Sequence, residues 1–553
     1  MVDIEVLAES NRANIERAKT DRNLAFTTYP EFVFPEFVEP CRINILMVTD
    51  GGGSFTLADF GLVELLSVLS VSPGPYVRFA VTKAHRGSSS PSGAHINNFR
   101  FDNWSLAGYD QIWLFGVART GPLTDSELKA LTAFMDAGGG VFATGDHEDL
   151  GVAMSGRVPR VRSMRAWYWP NEGPNGEPIA PRVDGPSRHD TNHRGAANPT
   201  IFADQSDDIP QVINPNVYRV PGATTFLREY VYPHPLLCGP KGAIRYLPDH
   251  PHEGDCYVPT DLTKTYTFGG STFTEYPTLP DGKPLPPEVI ATSQNGLGIS
   301  DFGKGAVAPA TFGAIGAYDG HRVGVGRVVV DATWHHFFNV NLIGDPAADE
   351  PAQKQGFYAS PAGMAKYEEI KAYFRNIAVW LARPETHQCM RWRTLWDARW
   401  HSRLVMDFRV YENIRDVQLD ELIRVGTVAR DVLGRLASQC QSLQWIFGLL
   451  EELLPRDVMA RMDPWSPNPA PRFDPGATYY GHVLVNACLG SILYTIADRY
   501  PEPSDEAKRA VESEENRELV REAVAMAAQR VSDAMRETAQ ELVQLADFGG
   551  PVD

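Results

Sequence analysis

The segment from Thr124 to Asp146 reads TDSELKALTAFMDAGGGVFATGD. Its first part opens with Thr-Asp-Ser-Glu, the pattern of a capping box, and it ends at three glycines, so it predicts a helix over 124–137. Residues 141–144 then form a short apolar run that is typical of a buried strand. A helix that leads directly into a buried strand is the unit from which parallel α/β sheets are built.

The flanking sequence repeats this alternation. Apolar runs over 43–49, 76–82 and 111–116 predict three earlier strands, and the leucine spacing over 57–69 predicts a helix between the first two. This order predicts an α/β fold with a flavodoxin- or Rossmann-like doubly wound parallel sheet. Ligands of such sheets bind at the carboxyl ends of the strands.

The same pattern returns late in the chain. Further strands are predicted over 288–292, 311–318 and 326–332, followed by an amphipathic helix over 364–381. The intervening residues 151–285 are rich in proline, glycine and aromatic residues. Because a structureless loop of that length is uncommon in a compact domain, they predict a long, loop-rich but ordered insertion that shapes a site.

The sequence therefore predicts three parts. Residues 1–41 form an N-terminal extension, 42–383 form the α/β domain with the insertion at about 151–285, and 384–553 form an all-α domain. Helical apolar spacing over 520–545 predicts packing or homo-oligomerisation through this last domain.

Three tryptophans in the helical part stand at i, i+4 and i+8 among arginines: Trp392, Trp396 and Trp400. One interpretation is an aromatic and basic surface that stacks nucleotides. The favoured interpretation is a buried tryptophan face with arginines at its margins.

Composition narrows the possible partners. The chain has 553 residues, 43% of them hydrophobic and 22% charged, with a net charge of −18. This composition excludes a mainly disordered or fibrous protein. An acidic surface repels phosphate backbones and anionic lipids, so we expect a small-molecule substrate and neither nucleic acid nor a membrane as partner.

The six cysteines are scattered and do not indicate a disulfide framework. The first residues include acidic side chains and lack an apolar core of the kind that signal peptides carry. The sequence thus predicts a cytoplasmic protein.

Three stretches together resemble a known family: YDQIWL at 109–114, AGGGVFATGDH at 137–147 and GRVVVDATWH at 326–335. The chain resembles the class I glutamine amidotransferase-like superfamily, in particular its trehalose-utilisation (ThuA-like) branch. The resemblance covers about 42–150 and 286–382. It implies a sharp elbow after the strand at 141–144 and a functional histidine near the end of a late strand.

One departure limits what the resemblance implies. Members of this superfamily carry a nucleophilic cysteine at the elbow, whereas this chain has Gly145, Asp146 and His147 there, with neither cysteine nor serine. The fold is implied, but glutamine hydrolysis through a thioester is not.

Seven of the 14 histidines fall in four short clusters at 146–149, 189–193, 249–256 and 334–336. We expect the first and the last cluster at the carboxyl edge of the sheet. The other two lie in the insertion, which can fold over that edge. Imidazole and carboxylate groups are ligands that suit zinc, iron and manganese.

These clusters predict a divalent metal, zinc before iron or manganese, and no nucleotide cofactor, because no nucleotide-binding fingerprint is present. The predicted metal ligands are His147, His189, Asp190, His193, His250, His252, Glu253 and His336.

Asp146 or Glu148 is the predicted general base, and His335 or His336 the group that stabilises charge or protonates the leaving group, with His335 favoured. Because adjacent residues of a strand point to opposite faces, only one of His335 and His336 is expected to enter the site.

The loop Asp50, Gly51, Gly52 and Gly53 follows the first predicted strand. Its backbone N–H groups could hold an anion or an oxyanion, with Asp50 as an orienting carboxylate. The alternative is a plain strand-to-helix turn.

The leading functional hypothesis is a metal-dependent hydrolase of a small polar substrate such as a sugar, amide or ester. The alternative is a non-catalytic binding or scaffold protein that self-associates through its helical domain. A third hypothesis is a cofactor-free hydrolase or isomerase that uses Asp146, Glu148 and His335 alone.

Overall fold

The computed structural model describes residues 39–74, 76–87, 92–146, 150–165, 201–202, 207–220, 230–248, 254–295, 298–300, 306–307, 310–348, 351–401, 403–404, 416–451, 454–455, 458–459, 462–466, 475–501, 510 and 513–548. The described strands are β1 (Cys41–Thr49), β2 (Val77–His85), β3 (Gln111–Phe115), β4 (Gly140–Thr144), β5 (Ile201–Phe202), β6 (Gln211–Pro215), β7 (Val217–Val220), β8 (Tyr230–Pro233), β9 (Cys238–Gly239), β10 (Gly242–Ala243), β11 (Tyr246–Leu247), β12 (Thr265–Phe268), β13 (Ser271–Thr274), β14 (Glu288–Asn295), β15 (Gly298–Ser300), β16 (Ala306–Val307), β17 (Ala310–Tyr318) and β18 (Val328–Asp331).

The described α-helices are α1 (Val63–Ser70), α2 (Asp125–Asp136), α3 (Val152–Ser155), α4 (Asn339–Leu342), α5 (Pro361–Trp380), α6 (Pro384–Trp400), α7 (Leu419–Leu436), α8 (Gln439–Glu451), α9 (Pro475–Arg499) and α10 (Glu514–Phe548).

A mixed sheet of nine strands organises the α/β part, in the order β11-β6-β14-β17-β18-β4-β3-β1-β2. Its β2, β1, β3, β4 and β18 strands are parallel, as the sequence predicts. Helix α2 begins at the predicted capping box, in which Thr124 and Glu127 bond each other's backbone N–H groups. Helices cover both faces: α2 packs on one face, and α1 and α5 pack on the other.

The prediction of a wholly parallel sheet is wrong for the other half. Strand β17 is antiparallel to both β14 and β18, and β6 and β11 extend the sheet in antiparallel pairs. The connection between β17 and β18, residues 319–327, contains only a short 3₁₀ helix, Gly320–Val323. A parallel pairing requires a crossover of a dozen residues or more, so this short connection reverses the chain.

The insertion contributes strands to this sheet as well as loops. A buried hydrogen-bond network also attaches the insertion to the α/β part. Glu275 accepts hydrogen bonds from the backbone N–H of Arg160 and from the hydroxyl of Ser163. The guanidinium of Arg160 bonds Asp136 at the end of α2. Because a buried charge is tolerated only when it is paired, these contacts fix the insertion against the α/β part.

The structure differs from the predicted helix over 57–69, since α1 begins only at Val63. Residues 54–61 instead form a loop closed by backbone bonds from Ser54 to Phe60 and from Leu62 to Ser54. A Cβ at Gly61 would lie 2.0 Å from the Thr56 carbonyl oxygen, so this turn requires glycine. The leucine spacing is therefore only partly helical, and Leu57 is 75% exposed.

The helical part has a hydrophobic cluster of its own, formed by α6 to α10. Trp392, Trp396 and Trp400 are all buried in it, which confirms the buried tryptophan face. None of the described helices combines the length and the apolar character needed to cross a membrane.

One disulfide joins the two parts, between Cys41 of β1 and Cys389 of α6. The scattered cysteines did not indicate this bond, because the two residues are 348 positions apart in the sequence. Disulfides persist mainly in oxidising environments. The cysteine count is thus no argument for a cytoplasmic location.

Candidate active site

The candidate site lies where β4 and β18 end side by side. These strands are parallel and in register, with Thr144 opposite Asp331, so the residues that follow them meet at the carboxyl edge. The Thr333 hydroxyl donates a bond of 3.0 Å to Oδ1 of Asp146. The Trp334 N–H donates a bond of 2.7 Å to the Gly145 carbonyl oxygen.

His335 is held on a 3₁₀ turn, Trp334–His336, that the Thr333 side chain caps by accepting the His335 N–H. Its Nδ1 atom lies 2.6 Å from Oδ1 of Asn341 in α4. An amide oxygen only accepts, so Nδ1 carries the proton. Nε2 is therefore the ring nitrogen that faces Oδ2 of Asp146, at 3.8 Å.

The loop that replaces the predicted start of α1 packs against His335. The Phe60 ring makes edge contacts with the rings of Trp334 and His335, at centroid distances of 5.3 and 5.9 Å. Asn339 of α4 holds the loop by donating to the carbonyl oxygens of Thr56 and Ala58. Asp146 and His335 are consequently almost inaccessible to solvent, at 1% and 3% exposure.

The buried side chain of Arg165 connects the segments that follow β4 and β18. The Arg165 guanidinium donates to the carbonyl oxygens of Asp146, at 2.7 Å, and of Ala332, at 2.6 Å. Burial lowers the pKa of Arg165, and nearby acidic groups, Asp146 among them, oppose that effect. Arg165 thus fixes the backbone segments that carry Asp146 and His335. It also places a positive charge close to the Asp146 carboxylate.

The insertion reaches the same edge. The Gly254 N–H donates to the Ala332 carbonyl oxygen, and a Cβ at Gly254 would lie 2.1 Å from Nη2 of Arg165. The next residue, Asp255, accepts the N–H of Gly313 in β17. Glycine is needed at position 254 because the chain passes directly over the arginine.

Cys256 follows in this segment, and its sulfur lies within 3.8 Å of the Ala314 and Val330 carbonyl oxygens. Burial raises the pKa of this thiol well above its usual value. Reactive cysteines are thiolates in electropositive, partly exposed surroundings. Cys256 therefore does not replace the nucleophile that the elbow lacks.

His336 points away from the Asp146–His335 pair. Its Nδ1 atom lies 2.6 Å from Oδ1 of Asp331, and its Nε2 atom lies 3.0 Å from Oε1 of Gln211. The Tyr373 hydroxyl of α5 bonds the other oxygen of Asp331. Both ring nitrogens of His336 are engaged in joining β18, β6 and α5, so we assign this residue to the buried framework.

The Asp50–Gly53 loop is turned toward the neighbouring strand end. Asp50 accepts the backbone N–H groups of Val117 and Ala118, and Gly53 donates its own N–H to the Asp50 carbonyl oxygen. Burial is the main cause that raises the pKa of Asp50. The N–H groups of Gly53 and Ser54 already bond the Asp50 and Phe60 carbonyl oxygens, so the geometry favours a turn over an oxyanion site.

Eight of the predicted site residues lie outside the described residues: His147, Glu148, His189, Asp190, His193, His250, His252 and Glu253. Within the described part of the chain, no group of three His, Cys, Asp or Glu side chains is placed to hold a metal ion.

Thr333, Asn341, Arg165 and Phe60 were not singled out from the sequence. Thr333 and Asn341 stand close to His335 in the chain, and a capping residue before the histidines was a readable signal. Arg165 stands 167 positions from Ala332 in a segment without periodicity, and no local pattern indicates its partner.

Comparison with models of protein families finds none that matches this chain, and no curated protein matches it either.

Proposed function

We propose that this protein is a hydrolase of a small polar substrate and that its reacting groups lie at the carboxyl edge of the sheet. The Asp146–His335 pair carries the proposal. A buried carboxylate faces an imidazole nitrogen whose tautomer Asn341 sets, across a gap of 3.8 Å. This distance is longer than a hydrogen bond and too short for another heavy atom to lie between the two, so water and substrate would have to approach the pair from its side.

Each residue has a role in this proposal. Asp146 accepts a proton from the water whose oxygen attacks the substrate carbon. For this step His335 is protonated on both ring nitrogens; it gives its Nε2 proton to the leaving oxygen or nitrogen as the bond of that atom to the carbon breaks, and the proton taken up by Asp146 then restores it. Thr333 and Arg165 hold the carboxylate and its backbone in position, while Phe60 excludes bulk water. Positioned proton transfer of this kind contributes roughly 10²- to 10⁴-fold to a rate.

A divalent metal remains part of the proposal, and the donor chemistry at this edge fits one. The predicted ligands His147, His250 and His252 are imidazoles, which suit zinc, iron or manganese, and they leave Asp146 and His335 for proton transfer. Asp146 is the last described residue before the 147–149 cluster, and Gly254 is the first after the 249–253 cluster. Both predicted ligand clusters thus adjoin residues of this edge. When bound, the metal supplies charge stabilisation.

The test combines metal content with a substrate panel on the full-length chain. Elemental mass spectrometry is applied to the wild type, Asp146→Asn and His335→Ala, with Asp533→Asn on the surface of α10 as a matched carboxylate control. Chromogenic esters, amides and glycosides are then assayed with and without a chelator. We expect about one or two equivalents of metal in the wild type and hydrolysis that the two site variants and the chelator abolish.

Two results would contradict this proposal. Full hydrolysis in chelator by metal-free protein would exclude the metal and support the cofactor-free mechanism. Metal-free, folded protein without activity on the panel would favour the non-catalytic scaffold.

The finer fold assignment is also a proposal. We infer a flavodoxin-like doubly wound arrangement, with the strand order 2-1-3-4-5 of the parallel half (β2-β1-β3-β4-β18) as support. In such folds the ligand crevice lies where the order reverses, between β1 and β3. The contact between Asp50 and the N–H groups of Val117 and Ala118 spans that position.

Self-association through the helical part is proposed from the end of α10. Val520 to Val531 of its apolar stripe pack inside the chain, whereas Leu542 and Val543 further along are 60% and 61% exposed. Light scattering coupled to size exclusion should show a homo-oligomer that Leu542→Glu weakens. A monomeric wild type at micromolar concentration would contradict this.

A further inference from the structure

Two cysteines that the candidate active site does not use meet where the insertion contacts the helical part. Cys238 belongs to β9 and Cys440 to the first turn of α8, and they are 202 positions apart in the sequence. Both are thiols in this structure. The backbone N–H of Cys440 donates a bond of 3.4 Å to the Cys238 sulfur, and the Cys440 thiol hydrogen-bonds to the same sulfur.

The backbone holds this pair of cysteines together. Asn376 of α5 donates to the carbonyl oxygens of Leu236 and Cys238, at 3.1 and 3.0 Å, and so fixes β9. Because N and Cα of a residue are one bond apart, the Cys238 sulfur lies within about 5 Å of the Cys440 Cα atom. A sulfur this close to the other cysteine's backbone is within reach of a disulfide.

The N-terminus of α8 distinguishes the two sulfurs. The first N–H groups of a helix have no partner within the helix and carry its positive end, and the Cys238 sulfur accepts one of them. It also accepts the Cys440 thiol proton, and this bond together with burial raises the pKa of Cys440. Both bonds favour a thiolate at Cys238, and the thiolate is the nucleophile in sulfur chemistry.

A cavity of about 1400 Å³ gives access to the pair. Cys238 and Cys440 line it together with Tyr232, Lys241 and Asn376. Cys238 is 7% exposed and Cys440 is 1% exposed. The sulfur that the hydrogen bonds favour as nucleophile thus belongs to the more accessible residue, and the restricted exposure selects a small oxidant.

We propose that Cys238 and Cys440 are a site of oxidation by peroxide, at which the two thiols close to a disulfide between β9 and α8. The Cys238 thiolate attacks one oxygen of hydrogen peroxide. The S–O bond forms as the O–O bond breaks, and the departing hydroxide leaves as water with the proton that Cys238 has released. The product is a sulfenic acid at Cys238.

The second step uses Cys440. Its sulfur attacks the Cys238 sulfur, the S–S bond forms as the S–O bond breaks, and hydroxide leaves as a second water with the Cys440 proton. The two sulfurs together lose two electrons, and one peroxide is reduced to two waters. The disulfide attaches the insertion to the helical part, as Cys41–Cys389 attaches β1 to α6.

The test maps disulfides on the full-length chain before and after treatment with hydrogen peroxide. The protein is first incubated with reduced glutathione and freed of it. After peroxide treatment, remaining thiols are alkylated in denaturant and the peptides are analysed by mass spectrometry without reductant. We expect a Cys238–Cys440 peptide that forms at least tenfold faster than Cys256 or Cys488 is oxidised, since burial raises the pKa of both these thiols. The Tm should rise with its formation, because the bond restricts the unfolded chain.

Three variants test the roles of the two sulfurs. Cys440→Ser removes the second thiol, so oxidation should stop at the Cys238 sulfenic acid, which dimedone labels. Cys238→Ser should give no dimedone label on Cys440 at the same peroxide concentration. Cys488→Ser, at a buried thiol of α9, is the matched control and should form the Cys238–Cys440 bond at the wild-type rate.

The proposal would be overturned if peroxide oxidised Cys256 or Cys488 before any Cys238–Cys440 peptide formed. A dimedone label on Cys440 in Cys238→Ser, with none on Cys238 in Cys440→Ser, would overturn the assignment of Cys238 as the attacking thiol.

Discussion

The two ends of β18 place histidines in opposite electrostatic surroundings. At the carboxyl end, His335 faces the Asp146 carboxylate and donates its Nδ1 proton to an amide oxygen. At the amino end, His321 and His387 lie beside the Arg327 guanidinium, which helps to keep both rings neutral. A carboxylate neighbour favours a protonated ring and suits proton transfer, whereas a guanidinium neighbour favours a neutral ring. The partner's charge, and not the histidine itself, separates the two roles.

The largest effect should come from removing the carboxylate at the carboxyl end. Asp146→Asn keeps the size of the side chain but removes the base, so hydrolysis should fall by roughly 10²- to 10⁴-fold. Steady-state rates on the best substrate of the chromogenic panel measure this, with Asp533→Asn as control. Unchanged rates in Asp146→Asn would remove the functional distinction between the two ends.

The second-largest effect should come from removing Arg165, which connects the backbone at the carboxyl end of β18 to Asp146. Arg165→Met removes a buried donor from the Asp146 and Ala332 carbonyl oxygens, of which that of Ala332 keeps the Gly254 N–H, so the free energy of unfolding should drop by about 2–5 kcal/mol. Urea denaturation measures the change. Arg499→Met, at an exposed arginine of α9, should change it by less than about 0.5 kcal/mol. Equal effects of both substitutions would contradict the bracing role.

Breaking the Cys41–Cys389 disulfide should affect mainly the region at the amino end of β18. Cys41–Cys389 ties the start of β1 to the first turns of α6. Reduction should lower the free energy of unfolding by about 2–4 kcal/mol, because a disulfide restricts the unfolded chain. Chemical denaturation with and without reductant tests this. The Cys41→Ser variant should be less stable and insensitive to reductant; a wild type that is equally insensitive would contradict it.

The smallest effect is a pH dependence from the amino end. His387 has its pKa lowered in the folded chain, so its contribution to stability is complete above about pH 6.5 and is lost as the pH falls toward 3. Between pH 6.5 and pH 5 the loss should reach up to about 2 kcal/mol. His387→Gln, which can accept from Trp445 and donate to the Trp380 carbonyl but cannot titrate, should reduce the slope of the profile, while His321, His234 and His482, whose pKa values are also lowered, keep the remainder. Chemical denaturation of both proteins at pH 6.5 and pH 5 measures the free energy of unfolding. An equal change with pH in the variant and the wild type would contradict the assignment to His387.

The local patterns predicted the parallel half of the sheet well. The capping box at Thr124 and the strand at 140–144 depend on neighbouring residues, and the structure confirms both. The meeting of Asp146 and His335 also follows from a simple rule, because parallel strands end at one edge.

Other features had no local signal. Strand direction in β14 and β17 depends on how the connections run, which apolar alternation does not record. Helix α1 begins at Val63 and not at Leu57, as predicted, because Gly61 packs tightly against the Thr56 carbonyl oxygen in the preceding loop. The Cys41–Cys389 pairing depends on the position of α6 against β1.

The amino-acid sequence alone was sufficient for the α/β alternation, the helical character after residue 384 and the end of β4 at Thr144, since short-range periodicity and turn chemistry govern these. Only the tertiary structure decided which polar groups face one another. It placed Arg165 beneath Asp146, His336 against Asp331, and Arg327 beside His321 and His387. Such pairings join residues far apart in the chain or on different sides of a turn. Their energies depend on distance and burial, which no run of residues encodes by itself.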